Sequence, residues 1–405
     1  MTGAALELDD LRASPNALAG DYARFGVGDR LLLSGHSHQA WPDVALDGQV
    51  EAFEDAARDV DAKWERAFAK AEAVREGVRA LLGDPGGEVA LGGNTHELVL
   101  RFLSALDLRA RPRLVTTDGE FHTLRRQLDR LAEAGLDVVK VPAAPPDTLA
   151  ERLAAAADDR TAAVLVSAVL FETARVVPGL GELADACAAR GAELLVDAYH
   201  ALGPVRFGLA ERGLEHAWVT GGGYKYLQLG EGNCFLRLPA QAARLRPVVT
   251  GWYAEFDALA AVPAGGPVGY GAGASRFAGS TYDPTSHYRA AWVLAFFAAR
   301  GLTPELLERS YRHQVALLGT EVDALELPDA LLTRDRDAPP EAVGGFLALE
   351  SPRAGELRAA LAQRGVMADS RGPHLRLGPA PYLSDAQLRE AVARLGDAAE
   401  FVAKL

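Results

Sequence analysis

Residues 162–197 read AAVLVSAVLFETARVVPGLGELADACAARGAELLVD and contain a strand–helix–strand pattern. The apolar run 162–167 predicts a buried strand, residues 180–190 predict a helix, and residues 193–197 predict a second buried strand. A strand, a helix and a strand in this order usually form a unit in which the two strands lie parallel. The stretch therefore predicts a parallel sheet that is covered by helices.

The same alternation continues on both sides of this stretch. Further strands are predicted at 113–117 (RLVTT), 137–141 (DVVKV) and 217–220 (AWVT), with helices at about 122–134 and 147–157. Short Val- and Leu-rich runs separated by helices are typical of a mostly parallel sheet with both faces covered. The predicted fold class is therefore α/β.

The pattern of predicted elements changes after about residue 300. A connecting segment at 328–341 is followed by the stretch GGFLALE (344–350), a predicted helix at 353–364, a strand pair around 366–377 and a helix at 384–395. These elements predict a small C-terminal α/β unit. We divide the chain into an N-terminal segment (1–45), a large domain (46–305) and a small C-terminal domain (306–405).

Composition excludes several classes of protein. The net charge of −13, without a basic cluster, argues against nucleic acid and against an anionic membrane surface as partners. Only two cysteines occur, Cys187 and Cys234, so no disulfide framework is expected and a reducing cytoplasm is favoured. The first residues lack the pattern of a signal peptide, and no window of 18 uncharged apolar residues predicts a membrane span.

The loop GGGYKYLQLGEG (221–232) places Lys225 just after a predicted strand. The preceding strand ends in VDAYHALG (196–203), which contains Asp197 and, three residues later, His200. Ligands of parallel sheets sit beyond the carboxyl ends of the strands, so Asp197 and Lys225 are expected to face one crevice. These residues form either an ion-pair cluster or part of a site for pyridoxal phosphate (PLP).

PLP needs an amine, an acid beneath its pyridine nitrogen, an aromatic face and donors for its phosphate. The chain offers a candidate for each. Lys225 is the amine, Asp197 is the acid, and Phe121 or His122 in DGEFHT (118–123) could cover the ring. Asn94 and Thr95 lie where a glycine-rich turn enters a predicted helix, whose N-terminus is suited to a phosphate. Thr95 could also be a plain helix cap.

No metal is expected. His36 and His38 in SGHSHQAWP (34–42) are one residue apart, with no Cys or Asp partner nearby, which is weak support for a metal site. The glycines at 221–223 also lack the spacing of a dinucleotide-binding fingerprint.

Four motifs together resemble the class V branch of fold-type-I PLP enzymes, and kynureninases in particular. They are Asp197-x-x-His200, the triplet Tyr224-Lys225-Tyr226, Gly251-Trp252-Tyr253, and GVMADSRGPHLRLGPAPYLSDAQL at 365–388. The resemblance runs from about Leu31 to Leu388. It implies a large PLP-binding domain, a small C-terminal domain, and a homodimer with shared active sites.

The resemblance also implies a role for each matching residue. Lys225 holds PLP and moves the α-proton of an amino-acid substrate, Asp197 holds the pyridine nitrogen, and Phe121 stacks on the ring. Arg376 binds the substrate α-carboxylate, although it could instead pair with Asp369 or Asp385. Further implied contacts with the cofactor come from Asn94, Thr95, His200, Tyr224 and Trp252, and from Ser280 and Thr281 on a loop lent to the neighbouring subunit.

The N-terminal segment departs from the resemblance. His36-Ser37-His38 stands where kynureninases usually carry Asn-Ser-Leu, in the part of the site that faces the substrate. The cofactor residues are thus better matched than the substrate pocket, where two imidazoles favour a polar side chain.

The implied activity is hydrolysis of kynurenine or 3-hydroxykynurenine to the corresponding anthranilate and alanine, a reaction of tryptophan breakdown, with Tyr224 assisting the water. A transaminase or a cysteine-conjugate β-lyase shares the first steps and stays an alternative. A non-catalytic or sugar-biosynthesis relative is a further alternative, but the presence of Arg376 argues against it.

Overall fold

The computed structural model describes residues 5–259 and 266–404, so the ends of the predicted terminal segments (1–4 and 405) and residues 260–265 lie outside the described residues. The strands are β1 (Leu31–Leu32), β2 (Glu88–Gly92), β3 (Arg113–Thr117), β4 (Asp137–Val141), β5 (Thr161–Ser167), β6 (Glu193–Asp197), β7 (Trp218–Gly222), β8 (Cys234–Leu238), β9 (Leu347–Glu350), β10 (Val366–Met367), β11 (Asp369–Arg371) and β12 (His374–Leu377).

The α-helices are α1 (Leu8–Arg12), α2 (Val44–Arg58), α3 (Trp64–Leu82), α4 (Thr95–Ala105), α5 (His122–Glu133), α6 (Leu149–Ala156), α7 (Leu180–Ala189), α8 (Thr285–Arg300), α9 (Pro304–Asp323), α10 (Ala354–Gln363) and α11 (Asp385–Ala403). Short 3₁₀ helices span Ala19–Phe25, Val27–Asp29, Pro146–Thr148, Ala210–Arg212, Ala240–Arg244, Trp252–Ala258, Gly273–Phe277 and Pro340–Ala342.

A seven-stranded sheet forms the centre of the molecule, in the order β2-β8-β7-β6-β5-β3-β4. Strands β7, β6, β5, β3 and β4 run parallel to one another. Strand β8 is antiparallel to both β2 and β7. The predicted fold class, α/β with a mostly parallel central sheet flanked by helices, is confirmed.

The central strands are apolar because both faces of the sheet are covered. All seven residues of β5 are buried. Alternate side chains enter different hydrophobic clusters: Val164 and Val166 belong to one, and Leu165 belongs to the other. Side chains of a strand point alternately to opposite faces, so a continuous apolar run is what two covered faces require.

The C-terminal part contains the antiparallel sheet β11-β12-β9 with helices α10 and α11. The N-terminal segment joins this part, because β1 pairs in parallel with β10 and places Leu31 opposite Val366. A further bridge links Ser34 to Gly378. We keep the division at 1–45, 46–305 and 306–405 as a proposal.

Among the described residues, no single helix is long and apolar enough to cross a membrane. Helices α8 and α9 reach that length and hydropathy only when taken together, and they are bent by 83° relative to each other.

Candidate active site

A cavity of about 920 Å³ lies at the carboxyl ends of β5 and β6, beside the loop that follows β7. Seven residues that the sequence predicted for the site line this cavity: Asn94, Thr95, Phe121, Asp197, His200, Tyr224 and Lys225. The structure therefore brings together residues that are up to 131 positions apart, from Asn94 to Lys225.

Lys225 is a buried amine with only 6% of its surface exposed. Its Nζ lies 2.8 Å from Nε2 of His200, and 4.9 Å from the ring centre of Tyr199. Burial lowers the pKa of Lys225 to about 7, an effect that the charge of Asp197 opposes and the charge of Arg376 reinforces. A lysine with such a pKa is partly neutral at physiological pH and is therefore a competent nucleophile and base.

Asp197 is the last residue of β6, and its Oδ1 accepts a hydrogen bond from the backbone N–H of Tyr199 at 2.8 Å. Burial raises the pKa of Asp197, whereas the Tyr199 N–H and the charge of Lys225 lower it. His200 is neutral, because burial and the charge of Lys225 hold its pKa well below the ordinary value. The cavity is thus lined by an acid, and by a neutral imidazole within hydrogen-bond distance of an amine.

Glycine is required where β7 meets the lysine loop. A Cβ atom on Gly222 would lie 2.6 Å from Sγ of Cys234 and would overlap the hydroxyl of Tyr199. A side chain at this position would therefore displace Tyr199 from the cavity wall.

The turn before α4 contributes the N-terminus of a helix. Asn94 caps α4, because its side-chain oxygen accepts a hydrogen bond from the Glu97 N–H at 2.9 Å. Asn94, rather than Thr95, is therefore the cap, and Thr95 is the first helical residue. The positive end of the helix dipole at this point favours an anion such as a phosphate.

Of the two aromatic candidates for the ring face, Phe121 lines the cavity, and its ring centre is 5.2 Å from Lys225 Nζ. His122 is exposed and lies beside Phe171, with 5.5 Å between the ring centres. The geometry therefore favours Phe121.

Arg376, on β12, is buried behind the cavity with 3% of its surface exposed. Its Nη1 donates to the backbone oxygen of Phe171 at 2.5 Å, and its Nη2 pairs with Asp369, which lies directly opposite on β11. The guanidinium also lies over the Phe346 ring, 5.6 Å from its centre. Arg376 therefore pairs with Asp369, the first of the two aspartates that the sequence offered. Its guanidinium is held in position by Asp369 and by the backbone oxygen of Phe171.

The segment His36-Ser37-His38 does not place both imidazoles at the cavity. His36 is 1% exposed and lies 3.8 Å from Asp369, and burial lowers its pKa to about 4. His38 is exposed and stacks on Tyr224 with 4.8 Å between ring centres, while Ser37 Oγ lies 3.2 Å from His38 Nδ1. This corrects the expectation of two imidazoles facing a substrate: the bridge from Ser34 to Gly378 turns His36 inward.

Three further predicted residues lie at a second cavity or beside it. Trp252 is 41% exposed, and its Nε1 donates to Oγ1 of Thr281 at 3.3 Å. Ser280 and Thr281 line a cavity of about 1210 Å³ that adjoins the first, with Gly232 in both walls. Within one chain, therefore, these residues do not reach the cavity that contains Lys225.

Sequence reasoning overlooked several residues of the cavity wall. Tyr199 lies two positions after Asp197 at a strand end, and Ser167 ends the neighbouring strand β5, so both carried a positional signal. Glu120 precedes Phe121 and is buried behind the wall. In the part of the chain that the structure describes, no group of three or more His, Cys, Asp or Glu residues is arranged to hold a metal ion.

Solved structures with this architecture include PLP-linked enzymes. A variant of C-DES with glycine covalently linked to its PLP cofactor superposes with a TM-score of 0.80 at 18% identity, covering 93% of this chain and 98% of that one. The apo cysteine desulfurase from Thermococcus onnurineus NA1 gives 0.79 at 19% identity, covering 96% and 98%. At these identities the likeness shows the fold alone. Residues 315–395 match the family model of the kynureninase C-terminal domain. The chain has a class V aminotransferase fold with a kynureninase-like C-terminal domain.

Curated relatives align with this chain over only part of their own length. Isopenicillin N epimerase from Streptomyces clavuligerus is 29% identical over 187 residues, 45% of this chain and 46% of the epimerase. Acetylornithine aminotransferase from Mycobacterium tuberculosis (strain ATCC 25618 / H37Rv) is 28% identical over 303 residues, 71% of this chain and 66% of that protein. The chain thus spans about half the length of the first relative and 66% of the second. The predicted resemblance to fold-type-I PLP enzymes is confirmed.

Proposed function

We propose that the protein is a PLP-dependent hydrolase that cleaves kynurenine or 3-hydroxykynurenine into the corresponding anthranilate and alanine. The observation that carries the proposal is the buried Lys225 amine, with a pKa of about 7, in one cavity with Asp197 and Phe121. The kynureninase-like C-terminal domain, which includes Arg376, supports the choice of reaction. PLP is the cofactor of this amino-acid enzyme. A cytoplasmic location and a role in tryptophan breakdown are parts of the same proposal.

The residues present fit PLP. The Lys225 amine is buried and close to neutral, as covalent attachment to an aldehyde requires. Asp197 would hold the pyridine nitrogen, Phe121 would cover the ring, and the N-terminus of α4 at Thr95 would hold the phosphate. When bound, PLP withdraws electrons from the α-carbon of the amino acid and makes its bonds easier to break.

Proton transfer at the α-carbon falls to Lys225 and His200. Their nitrogens are 2.8 Å apart, and the pKa shifts keep His200 neutral, so a proton on Lys225 can be shared with the imidazole. Tyr224 lies beside them, and burial raises its pKa. Its hydroxyl therefore keeps its proton at neutral pH and can donate it to the side-chain carbonyl of the substrate while water adds to that carbon.

The substrate α-carboxylate is assigned to Arg376. A planar guanidinium binds a carboxylate through two parallel N–H donors, which fixes both its position and its orientation. Arg376 Nε has no hydrogen-bond partner among the described residues, whereas its Nη1 and Nη2 contact Phe171 and Asp369. The free Nε supplies one donor to an incoming carboxylate. The second donor is Nη1 or Nη2, which must first release its present contact with Phe171 or Asp369.

A C–S lyase activity is the second candidate. Solved structures with this fold include a complex of the cystine C–S lyase C-DES with its product cysteine persulfide, at a TM-score of 0.77 and 17% identity. The aminotransferase relative supports a transaminase in the same way. The three activities differ in their products, which makes them easy to separate.

A product assay decides among these reactions. We expect alanine from kynurenine and from 3-hydroxykynurenine, with 3-hydroxykynurenine preferred because His38 adds a polar ring beside Tyr224. His38→Leu should lower that preference in kcat/KM about 2- to 10-fold, the worth of one hydrogen bond. His122→Leu, which changes an exposed histidine outside the cavity, is the control. Release of a keto acid instead of alanine would identify a transaminase, and pyruvate from a cysteine conjugate would identify a β-lyase.

We also propose a homodimer in which Trp252, Ser280 and Thr281 complete the neighbouring subunit's site. The three residues lie together at the adjoining cavity, near the exposed Phe256. An equal mixture of Lys225→Ala and the Trp252→Ala/Thr281→Ala variant should regain roughly a quarter of wild-type turnover, since half of the dimers are mixed and each has one intact site. Recovery of no activity, despite exchange of subunits, would show that each chain builds its own site.

A further inference from the structure

Glu120 is a buried carboxyl group with no part in the reaction described above. It lies in the turn between β3 and α5, directly before Phe121, and is 2% exposed. Its Oε1 accepts from the Ser167 N–H at 3.0 Å and from Thr117 Oγ1 at 3.1 Å. Its Oε2 accepts from Ser167 Oγ at 2.6 Å. Three donors thus converge on one carboxyl group.

These hydrogen bonds connect the carboxyl ends of two strands to the cavity wall. Thr117 ends β3 and Ser167 ends β5, and Ser167 pairs in register with Asp197 on β6. Phe121, Ser167 and Asp197 all line the cavity, whereas Glu120 lies behind them. A change at Glu120 therefore reaches both the aromatic face and the acid of the site through residues it contacts or adjoins.

The surroundings of Glu120 disfavour the ionised form of its carboxyl group. Burial raises the pKa of Glu120 to about 7, the bonds from Ser167 and Thr117 lower it, and the charge of Asp197 raises it further. Asp197 from β6 is the charged group that faces it, while β3 and β5 contribute the uncharged Thr117 and Ser167. No basic side chain is among the groups that shift the pKa of Glu120. Each of two neighbouring carboxylates disfavours ionisation of the other, and Glu120 is buried whereas Asp197 is partly exposed at the cavity, so Glu120 is the one that keeps a proton.

We propose that Glu120 is a positioning residue: it fixes Phe121 and Ser167 in the cavity wall and holds a proton on Oε2, which it donates to the rotated hydroxyl of Ser167, so that Asp197 carries the negative charge of the pair. This inference rests on the proposed function, since it takes Phe121 and Asp197 as cofactor contacts. Asp197 is the carboxyl group next to the Lys225 charge, which favours its ionised form, and Glu120 has no such neighbour.

Two substitutions separate the two roles. Glu120→Gln has the shape of the protonated acid and keeps the acceptor for Ser167 N–H, whereas Glu120→Ala loses all three bonds. At about pH 6, the Gln variant should bind PLP within about threefold of wild type, and the Ala variant should bind it roughly 5- to 100-fold more weakly, because buried donors are left unsatisfied. Ser167→Ala, which removes the Oγ donor alone, should have a PLP affinity between those of the two Glu120 variants. It replaces Glu120→Ala in the test if that variant does not fold.

The proton is tested on the full chain by its pH dependence. The folded-state pKa of about 7 lies above the ordinary value of 4.5, so the stabilising contribution is complete below that ordinary value and is lost as pH rises through 7. Between about pH 5 and about pH 8 the urea midpoint of wild type should therefore fall more than that of Glu120→Gln. Difference infrared spectra should show a protonated carboxyl C=O band that disappears over this range in wild type and is absent from the Gln variant.

A control and the opposing outcomes complete the test. Glu151→Gln removes the same charge from an exposed site on α6 that lines neither cavity, and it should behave as wild type in every measurement. Equal PLP affinity of Glu120→Ala and wild type would overturn the positioning role. Identical urea profiles and infrared bands in wild type and Glu120→Gln would overturn the proton-holding role. If wild type itself bound no PLP, the proposed function would fail, and the urea and infrared results would still decide whether Glu120 holds a proton.

Discussion

Replacing Lys225 by alanine is expected to abolish covalent attachment of PLP and to lower kcat roughly 10²- to 10⁴-fold, the range for loss of a positioned acid–base group. Lys225 is the buried lysine of the chain, and its amine has a pKa of about 7. The other four lysines, Lys63, Lys70, Lys140 and Lys404, are exposed or half-buried. Borohydride reduction followed by peptide mapping should therefore place the cofactor adduct on Lys225 in wild type.

The same variant separates attachment from binding. Asp197, Phe121 and the N-terminus of α4 are untouched by Lys225→Ala, so non-covalent PLP should remain measurable by equilibrium dialysis. Lys70→Ala, which removes a half-buried lysine paired with Glu51, is the matched control and should keep both the adduct and the turnover. An adduct that maps to one of the other four lysines would contradict the assignment of the site.

Much of the central fold could be predicted from the sequence because its strands are buried on both faces. The segments 113–117, 137–141 and 193–197 were predicted with the bounds that the structure has. Strands β2 and β8 were not predicted. Strand β2 lies between helices α3 and α4, but only its second and third residues are buried, so it lacks the long apolar run of a central strand. Strand β8 follows β7 with no helix between them and runs antiparallel, so it falls outside the repeating strand–helix pattern.

The positions of some residues of the candidate site could likewise be predicted from the sequence, whereas those of others could not. Asp197 and Lys225 follow neighbouring parallel strands, and such strand ends meet at one edge of a sheet, so their proximity was predictable. The burial of His36 was not, because it depends on a bridge between Ser34 and Gly378, which are far apart in the chain. The pairing of Arg376 with Asp369 likewise depends on the register of β11 and β12, which residue type alone left open between two aspartates.

Replacing the buried guanidinium of Arg376 is expected to have the second large effect, on the KM for the amino acid. Arg376→Lys should raise KM for the amino acid by about 30-fold to several thousand-fold, since losing one partner of a buried charged contact costs about 2–5 kcal/mol. A lysine ammonium is a point charge and cannot offer two parallel donors to the carboxylate. It would also leave Phe171 oxygen or Asp369 without its present partner. The affinity for PLP should change by less than about threefold, because Arg376 does not line the cofactor cavity.

Two further variants show whether the effect belongs to the carboxylate contact. Arg371→Lys changes a neighbouring arginine that is 44% exposed in its side chain and 3.9 Å from Asp369, and it should leave KM within about twofold. Asp369→Asn removes the carboxylate that now occupies Nη2 but leaves the guanidinium intact, so its KM should rise less than that of Arg376→Lys. KM and the dissociation constant of PLP, measured on the same preparations, separate the two roles. Parallel losses of substrate and cofactor affinity in Arg376→Lys would mean that Arg376 supports the structure of the site, because a residue that only binds the substrate has no means of weakening PLP.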